Sequence, residues 1–140
     1  MSSFKILSAN CRGLQDYKKR KDVFGFLRDK KASIVCIQDT HFTERDENFV
    51  RAQWGLDHVS SYYRSDSRGV STLFCNTCEY KLIKSKTDSG GNYVAGSFLI
   101  DNKYSITIVN LYGPNREAVN FYENLKNIIN EFSYDFVIMC

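Results

Sequence analysis

Polar side chains end an otherwise apolar segment at residues 34–42, where the sequence reads IVCIQDTHF. The first part of this segment predicts a buried strand, and Asp39 and His41 follow shortly after it. A carboxylate and an imidazole at a strand end can bind a metal ion or transfer a proton. The same residues also fit an ordinary strand end, at which Asp39 caps the next element. The segment by itself leaves both interpretations open.

Two further predicted strands end in polar groups, one in SANCRG and one in VNLYGPN. In α/β proteins, ligands bind where the carboxyl ends of strands meet their loops. The side-chain oxygens of Asn10 and Asp39 are of the type that Mg²⁺ prefers, with other positions left for water and substrate oxygens. Structural interpretations also exist, since Asn10 suits a turn and Tyr112, which precedes a Gly-Pro pair, suits a half-buried strand end.

These strand ends belong to alternating elements that hydrophobic periodicity predicts. Helical spacing predicts helices over residues 17–31, 44–53 and 117–132, the second beginning after Thr43 and ending at Trp54-Gly55. Apolar runs between turn signals predict strands over residues 4–9, 33–37, 59–63, 69–76, 80–86, 93–100 and 104–111, and another within YDFVIMC. The inner faces expected for the first and last helices contain Val23, Phe24 and Leu27, and Val119, Tyr122, Leu125, Ile128 and Ile129.

The composition indicates one globular domain with no membrane span. The 140 residues include 43% hydrophobic side chains, enough for a single core, and no apolar stretch reaches the length of about 18 residues that a bilayer requires. Because the N-terminus lacks a secretory apolar region, we expect an intracellular protein, in the nucleus or the cytoplasm, with no membrane partner. Five irregularly spaced cysteines predict reduced thiols, and CNTC at 75–78, without a second pair, is a weak zinc signal.

The charge is modestly basic and unevenly distributed. A net charge of +3 permits an anionic partner without requiring one. Lys18, Lys19, Arg20 and Lys21 form a basic run, which is most often the solvated face of a helix. The alternative is contact with phosphate, because clustered Lys and Arg are typical of surfaces that bind nucleic acid.

Three motifs, SANCRGL, IVCIQDTHF and TIVNLYGPN, resemble in order and spacing those of the endonuclease/exonuclease/phosphatase superfamily. With SRGVSTLF between the second and the third, the sequence is most similar to the apurinic-endonuclease-like domain of non-LTR (LINE-type) retrotransposon polyproteins. The resemblance implies an α/β fold, a DNase I-like two-sheet sandwich with outer helices. Residues 1–140 would be the incomplete N-terminal part of that one domain, supplying one sheet and the first strand of the other.

The resemblance implies a Mg²⁺-dependent endonuclease, with Mn²⁺ as the alternative ion, that hydrolyses a phosphodiester and nicks DNA as in retrotransposon integration. The family's metal-site asparagine, also expected in catalysis, falls on Asn10, and its principal metal ligand, a glutamate, falls on Asp39. Its Tyr-x-Pro-Asn motif places on Tyr112 the support of the scissile phosphate and on Asn115 the orientation of neighbouring groups. Nucleic-acid contacts are expected at Arg12, Lys18, Lys19, Arg20, His41 and Arg68.

Two departures from the family pattern limit this expectation. Asp39 is one methylene shorter than the family's glutamate, and Mg²⁺ tolerates little deviation from octahedral geometry. The family's Gly-Asp-x-Asn and Ser-Asp-His motifs are absent from the 140 residues, so the domain is expected to be truncated before the first of them and inactive as a fragment. The partners expected are DNA and the missing C-terminal half of the domain, which a reverse transcriptase would follow.

Two other functions stay open on the sequence. One is a phosphatase or phosphodiesterase of the same superfamily that acts on small phosphoesters or lipid headgroups. The other is a decayed, non-catalytic relic that binds nucleic acid, since both Asp39 and the missing motifs fit a loss of activity. The basic run beside the first strand and the NCRGL sequence favour nucleic acid.

Overall fold

Helices and strands alternate along the chain in the order that the sequence predicts. The computed structural model describes residues 3–114, 119–132 and 135–140. The helices are α1 (Tyr17–Asp29), α2 (Glu47–Trp54) and α3 (Val119–Asn130), and a short 3-10 turn (Glu44–Asp46) precedes α2. The strands are β1 (Ile6–Asn10), β2 (Ile34–Gln38), β3 (His58–Ser61), β4 (Val70–Phe74), β5 (Tyr80–Thr87), β6 (Tyr93–Ile100), β7 (Tyr104–Leu111) and β8 (Phe136–Met139). Every predicted element is present, with small shifts at its ends.

The helix ends follow signals that are visible in the sequence. Asp16 caps α1, because its Oδ1 accepts a hydrogen bond from the backbone N–H of Lys19 at 2.7 Å. The predicted start after Thr43 is confirmed, since the Asp46 carboxylate accepts the Thr43 N–H at 2.8 Å in a capping box. Gly55 ends α2 with a φ of +90°, in the left-handed conformation that glycine adopts without steric cost.

The first sheet, called sheet I, contains the N-terminal strands in the order β1-β2-β4-β3. β1 and β2 are parallel and joined through α1, whereas β4 runs antiparallel to both of its neighbours. Every residue of β2 is buried, which explains its continuous apolar sequence. The outer face of sheet I packs on α1 and α2, where Phe24 meets Trp54 edge to face at 5.4 Å between ring centroids.

The second sheet, called sheet II, has the order β5-β6-β7-β8 and lies against the inner face of sheet I. β5, β6 and β7 form an antiparallel meander, and β8 joins β7 in parallel after α3. The core between the sheets contains Ile34 and Cys36 from β2 and Phe98, Ile106 and Ile108 from sheet II. This stacking buries the second face of β2 and completes the two-sheet sandwich that the motifs predict.

The expected division of strands between the two sheets is wrong. The chain supplies all four described strands of sheet II instead of only its first strand. Alternating residues identify strands, but which strands pair depends on how their faces pack and where their backbone groups bond. Here Phe98 and Ile108 face Ile34 across the core, so the later strands cover the inner face of sheet I and do not extend its edge.

The expected inner face of α3 is only partly correct. Leu125 is buried against sheet II, and Ile128 and Ile129 pack beside it. Val119 is 59% exposed and Tyr122 50% exposed, whereas Phe121 packs near the Tyr93 ring instead. The first turn of α3 therefore contacts the sheet through a different side of the helix than the spacing of its apolar residues predicts. Within the described ranges, no helix has the length and apolar character to cross a membrane.

An open apolar cleft separates the outermost strands on one side of the sandwich. Among the residues that the structure describes, β1 and β8 each pair with one neighbouring strand, so each has a free edge there. The cleft between them has a volume of about 720 Å³, and its apolar lining includes Phe4, Ile6, Ile106, Phe136 and Ile138. Phe136 remains 59% exposed, which is unusual for an aromatic residue in a strand.

Candidate active site

The carboxyl ends of β1 and β2 bring Asn10 and Asp39 side by side. The parallel pairing of the two strands continues past their ends, as the Cys11 N–H donates to the Gln38 carbonyl at 2.9 Å. The Gly13 N–H then donates to the Asp39 carbonyl at 2.6 Å. Because the two segments are held in register here, Asn10, the last residue of β1, lies beside the end of β2, and Asp39 follows directly after that end.

Four non-glycine residues around this edge adopt the left-handed backbone conformation. The φ angles are +49° at Arg12, +55° at Asp39 and +61° at both His41 and Arg68. Such conformations cost on the order of 1–3 kcal/mol each and occur most often where a side chain must be aimed for function. Their concentration on three neighbouring loops marks this edge as a constrained site.

The Asp39 carboxylate is held on one side by two donors. Its Oδ1 accepts the His41 Nε2–H at 2.9 Å and the Arg68 backbone N–H at 3.2 Å. The Asp39 side chain is 18% exposed, so the carboxylate is mostly buried but still in contact with solvent. Among the described residues no hydrogen bond reaches Oδ2, which leaves this oxygen available for a cation or water.

A pair of buried amides joins the two sheets directly behind the site. Gln38 Nε2 donates to Asn110 Oδ1 at 2.8 Å, and Asn110 Nδ2 donates to the Ser71 carbonyl at 2.8 Å. Asn110 is fully buried and lies two residues before Tyr112. Sequence reasoning missed this pair, although a single amide within the apolar strand TIVNLY was its visible signal.

The carboxyl end of β7 positions Tyr112 at the same edge of the sandwich. Its backbone N–H donates to the Asn92 carbonyl at 2.7 Å, and its side chain is half-buried. Asp88 fixes the turn that contains Asn92, since its Oδ1 accepts the Asn92 and Tyr93 N–H groups at 3.0 and 3.1 Å. Asp88 was not among the predicted site residues, and Asn115 lies outside the described residues.

The predicted nucleic-acid contacts of the basic run have structural alternatives. Lys19 Nζ donates to the Cys11 and Arg12 carbonyls at 3.0 and 3.1 Å. Arg20 is only 7% exposed, and its guanidinium donates to the Leu14 carbonyl at 2.8 Å. These two cations hold the loop after β1 in place, whereas Lys18 is exposed on α1.

The remaining predicted contacts lie beside Asp39. The Arg12 N–H donates to Asn10 Oδ1 at 3.2 Å, and the Arg12 side chain is exposed. The Arg68 guanidinium lies 4.6 Å from the centroid of the Tyr63 ring, a cation–π arrangement at the rim of the site. His41 is the predicted contact that bonds Asp39 itself.

The chemistry available at this edge is that of oxygen ligands. Burial raises the pKa of the Cys11 thiol to about 11, with the Lys19 charge opposing this shift, so the sulfur is neutral at physiological pH and is not a nucleophile. Asp39 Oδ2 and the Asn10 amide oxygen are donors that suit Mg²⁺, which keeps several waters and needs few protein ligands. In the described part of the chain, no group of three His, Cys, Asp or Glu residues is arranged to hold a metal.

Solved structures with the same arrangement place this sandwich among known folds. The chain is similar to the endonuclease domain of TRAS1, a telomere-specific non-LTR retrotransposon, with a TM-score of 0.65 and 15% identity over 97% of this chain. It is also similar to the catalytic domain of Xenopus laevis APE2, with a TM-score of 0.71 and 18% identity over 97% of this chain. An endonuclease/exonuclease/phosphatase from Bacteroides vulgatus matches with a TM-score of 0.62 and 15% identity over 91% of this chain.

The chain has the endonuclease/exonuclease/phosphatase fold. The fold that the motifs imply is thereby confirmed, and the endonuclease domain of a non-LTR retrotransposon is among the similar structures. The chain spans 58% of the TRAS1 domain, 57% of the APE2 domain and 59% of the bacterial protein, so it corresponds to part of each. No protein-family model matches the sequence. The roles predicted for individual site residues stay predictions.

Proposed function

We propose that this chain carries the metal-binding part of a Mg²⁺-dependent endonuclease that nicks DNA. The observation that supports this proposal most directly is the convergence of three strand ends at one edge of a nuclease-like sandwich. Asn10, Asp39 and Tyr112 all lie there, and Asp39 keeps one carboxylate oxygen without a hydrogen bond among the described residues. The basic and aromatic pair of Arg68 and Tyr63 lies beside Asp39, whose carboxylate accepts the Arg68 N–H.

Each of these side chains has a distinct task in the proposed reaction. Asp39 Oδ2 and the Asn10 amide oxygen bind the cation, which when bound polarises a phosphoryl oxygen and offsets the charge that develops on it. Mn²⁺ fits the same oxygen ligands and serves as the alternative ion. Tyr112 donates its hydroxyl proton in a hydrogen bond to the scissile phosphate, and Arg12 and Arg68 contact neighbouring phosphates of the DNA.

The proposed reaction requires more than these residues. A nucleophilic water must be deprotonated and the leaving oxygen stabilised, and we assign these tasks to the part of the domain that this chain does not span. That part would dock on the apolar cleft between β1 and β8, covering Phe136 and pairing with the two strand edges. In the retrotransposon case, a reverse transcriptase would follow it. The chain of 140 residues is therefore expected to be inactive alone.

The test starts from the nucleotide sequence beyond codon 140, where a Gly-Asp-x-Asn motif is expected within a few codons. A protein extended through the complete domain should convert supercoiled plasmid to the nicked form in the presence of Mg²⁺, and Asp39→Ala should abolish this conversion. An early stop codon, or nicking that Asp39→Ala leaves unchanged, would contradict the proposal. Nicking by the shorter chain that is lost in Asp39→Ala would contradict only the proposed need for the rest of the domain.

A further inference from the structure

His41 occupies an unusual position for a residue predicted to contact nucleic acid. Its imidazole is 21% exposed and is hydrogen-bonded to the Asp39 carboxylate instead of extending into solvent. Because the carboxylate accepts hydrogen bonds and donates none when ionised, the proton of this 2.9 Å bond belongs to His41 Nε2. The nearest polar partner of the ring is thus the predicted metal ligand itself.

The ring of His41 lies directly over the backbone of Gly13. A Cβ atom placed on Gly13 would lie 2.7 Å from Nδ1 and 3.0 Å from Cε1 of the imidazole, closer than real Cβ contacts allow. Gly13 also has a φ of +86°, a conformation that side chains disfavour. The loop after β1 therefore provides a recess that only glycine can form, and the imidazole fills it.

The backbone of His41 is held on both sides as firmly as its ring. Its N–H donates to the Arg68 carbonyl at 2.7 Å, and its carbonyl accepts a hydrogen bond from Gln15 Nε2. Gln15 Nε2 also donates to Asp46 Oδ2 at 2.9 Å, which ties this loop to the start of the second helix. With its backbone and ring both fixed, His41 has little freedom to follow a substrate.

The bond from His41 helps to fix the orientation of the Asp39 carboxylate. The terminal torsion of an aspartate is broad, so a carboxylate without fixed hydrogen bonds adopts many orientations of its plane. Oδ1 accepts a hydrogen bond from the His41 ring at 2.9 Å and another from the Arg68 backbone N–H at 3.2 Å. With one oxygen held by both bonds, the other oxygen, here Oδ2, stays directed away from these donors. A half-turn that exchanges the two equivalent oxygens gives the same arrangement.

We propose that His41 is a positioning residue, seated in the Gly13 recess, that holds the short Asp39 side chain with Oδ2 presented to a divalent cation. This inference rests on the proposed function, since it assumes that Asp39 binds the cation. It assigns His41 to the support of the metal site and removes it from the surface that contacts phosphate. Groups that orient metal ligands commonly change metal affinity about 10–100-fold when they are removed.

Mn²⁺ binding to the chain tests this inference without any need for turnover. Titration followed by the electron paramagnetic resonance of free Mn²⁺ should show binding by the unmodified chain and none by Asp39→Ala. His41→Ala should weaken binding about 10–100-fold, the range seen when a supporting group is lost. His41→Gln should recover part of that loss, because a glutamine amide can still donate to Oδ1.

A glycine pair provides the matched control. Gly13→Ala and Gly55→Ala impose similar backbone strain, at φ of +86° and +90°, but an added Cβ meets the His41 ring at Gly13 and nothing within 4 Å at Gly55. Gly13→Ala should therefore reproduce the weakened Mn²⁺ binding of His41→Ala, while Gly55→Ala should keep normal affinity. Circular dichroism of each variant at the titration temperature confirms that the comparison is made between folded proteins.

The possible results separate the inference from the function on which it rests. Unchanged Mn²⁺ affinity in His41→Ala would overturn the positioning role while leaving Asp39 as the ligand. Equal affinities of His41→Ala and His41→Gln would also overturn it, since a donor at that place would then make no difference. Absence of Mn²⁺ binding by the unmodified chain would contradict the proposed metal site and this inference together.

Discussion

Replacing Asn110 with leucine should destabilise the sandwich by about 2–4 kcal/mol, because it removes the amide that joins the sheets behind the site. Asn110 is fully buried and forms two short hydrogen bonds, from Gln38 Nε2 and to the Ser71 carbonyl, both at 2.8 Å. Each such bond contributes about 1 kcal/mol net, and each buried partner left unsatisfied costs about 1–3 kcal/mol. Gln38 retains a 3.0 Å bond to Ser8 Oγ, so the loss falls below the sum of these terms.

Urea denaturation of the single and double variants measures this loss. Gln38→Leu alone removes the donor to Asn110 Oδ1, whereas the double variant removes both amides at once. The destabilisation of the double variant should therefore be smaller than the sum of the two single variants by about 0.5–3 kcal/mol. Unchanged slopes against urea would show that the unfolded states are comparable. A destabilisation of less than about 1 kcal/mol in Asn110→Leu, or strict additivity in the double variant, would refute the structural role assigned to this pair.

Three further predictions concern pH, packing and DNA contact. Burial lowers the pKa of His58 below its usual 6.5, although the nearby Glu47 carboxylate opposes this, so the unfolded chain takes up a proton first as the pH falls and stability should decrease below about pH 6.5. In urea denaturation at pH 5 to 7, His58→Gln should reduce the dependence of stability on pH, and an unchanged dependence would exclude His58 as its cause. Phe24→Ala should lower the free energy of unfolding by about 3–5 kcal/mol because the ring is fully buried, whereas Phe26→Ala should lower it far less because that side chain is 58% exposed. Similar losses in the two variants would contradict the placement of Phe24 in the core. Arg68→Gln should weaken binding of duplex DNA and reduce the slope of log affinity against log salt by about 1, as expected for one lost phosphate contact, and an unchanged slope would place Arg68 away from the DNA.

The exposed apolar cleft and the Asp39 site are formed by different residues of the sandwich. The helices α1 and α2 cover the outer face of sheet I, and its inner face packs on sheet II. The edge that carries Asp39 therefore belongs to a sheet that is packed on both faces. The cleft between β1 and β8 lies along strand edges that pair with no further strand among the described residues, and the Phe136 ring there is exposed. The proposed metal ligands are therefore positioned by parts of the fold that are already packed, and we expect the proposed Mn²⁺ binding to precede any docking of further chain.

Local chemistry in the sequence predicts much of the fold. Periodicity locates the strands and helices, the Thr43 and Gly55 signals locate both ends of α2, and motif order implies the fold that solved structures confirm. Whereas the fold was predicted from a resemblance in the order of three motifs, the element positions and helix ends are predictable because they depend on neighbouring residues. The same is true of the placement of Asn10 and Asp39 at strand ends, which follows from where each apolar run stops.

Contacts between residues that are distant in the sequence depend on tertiary packing. The division of eight described strands into two sheets, the Gln38–Asn110 bond and the seating of His41 on Gly13 each join residues that no local pattern relates. Which strand ends carry a carboxylate and an amide is already visible in the order of the residues. The orientation of the Asp39 carboxylate follows from tertiary packing, because it depends on a ring that lies on Gly13 and on a backbone N–H from the loop before β4.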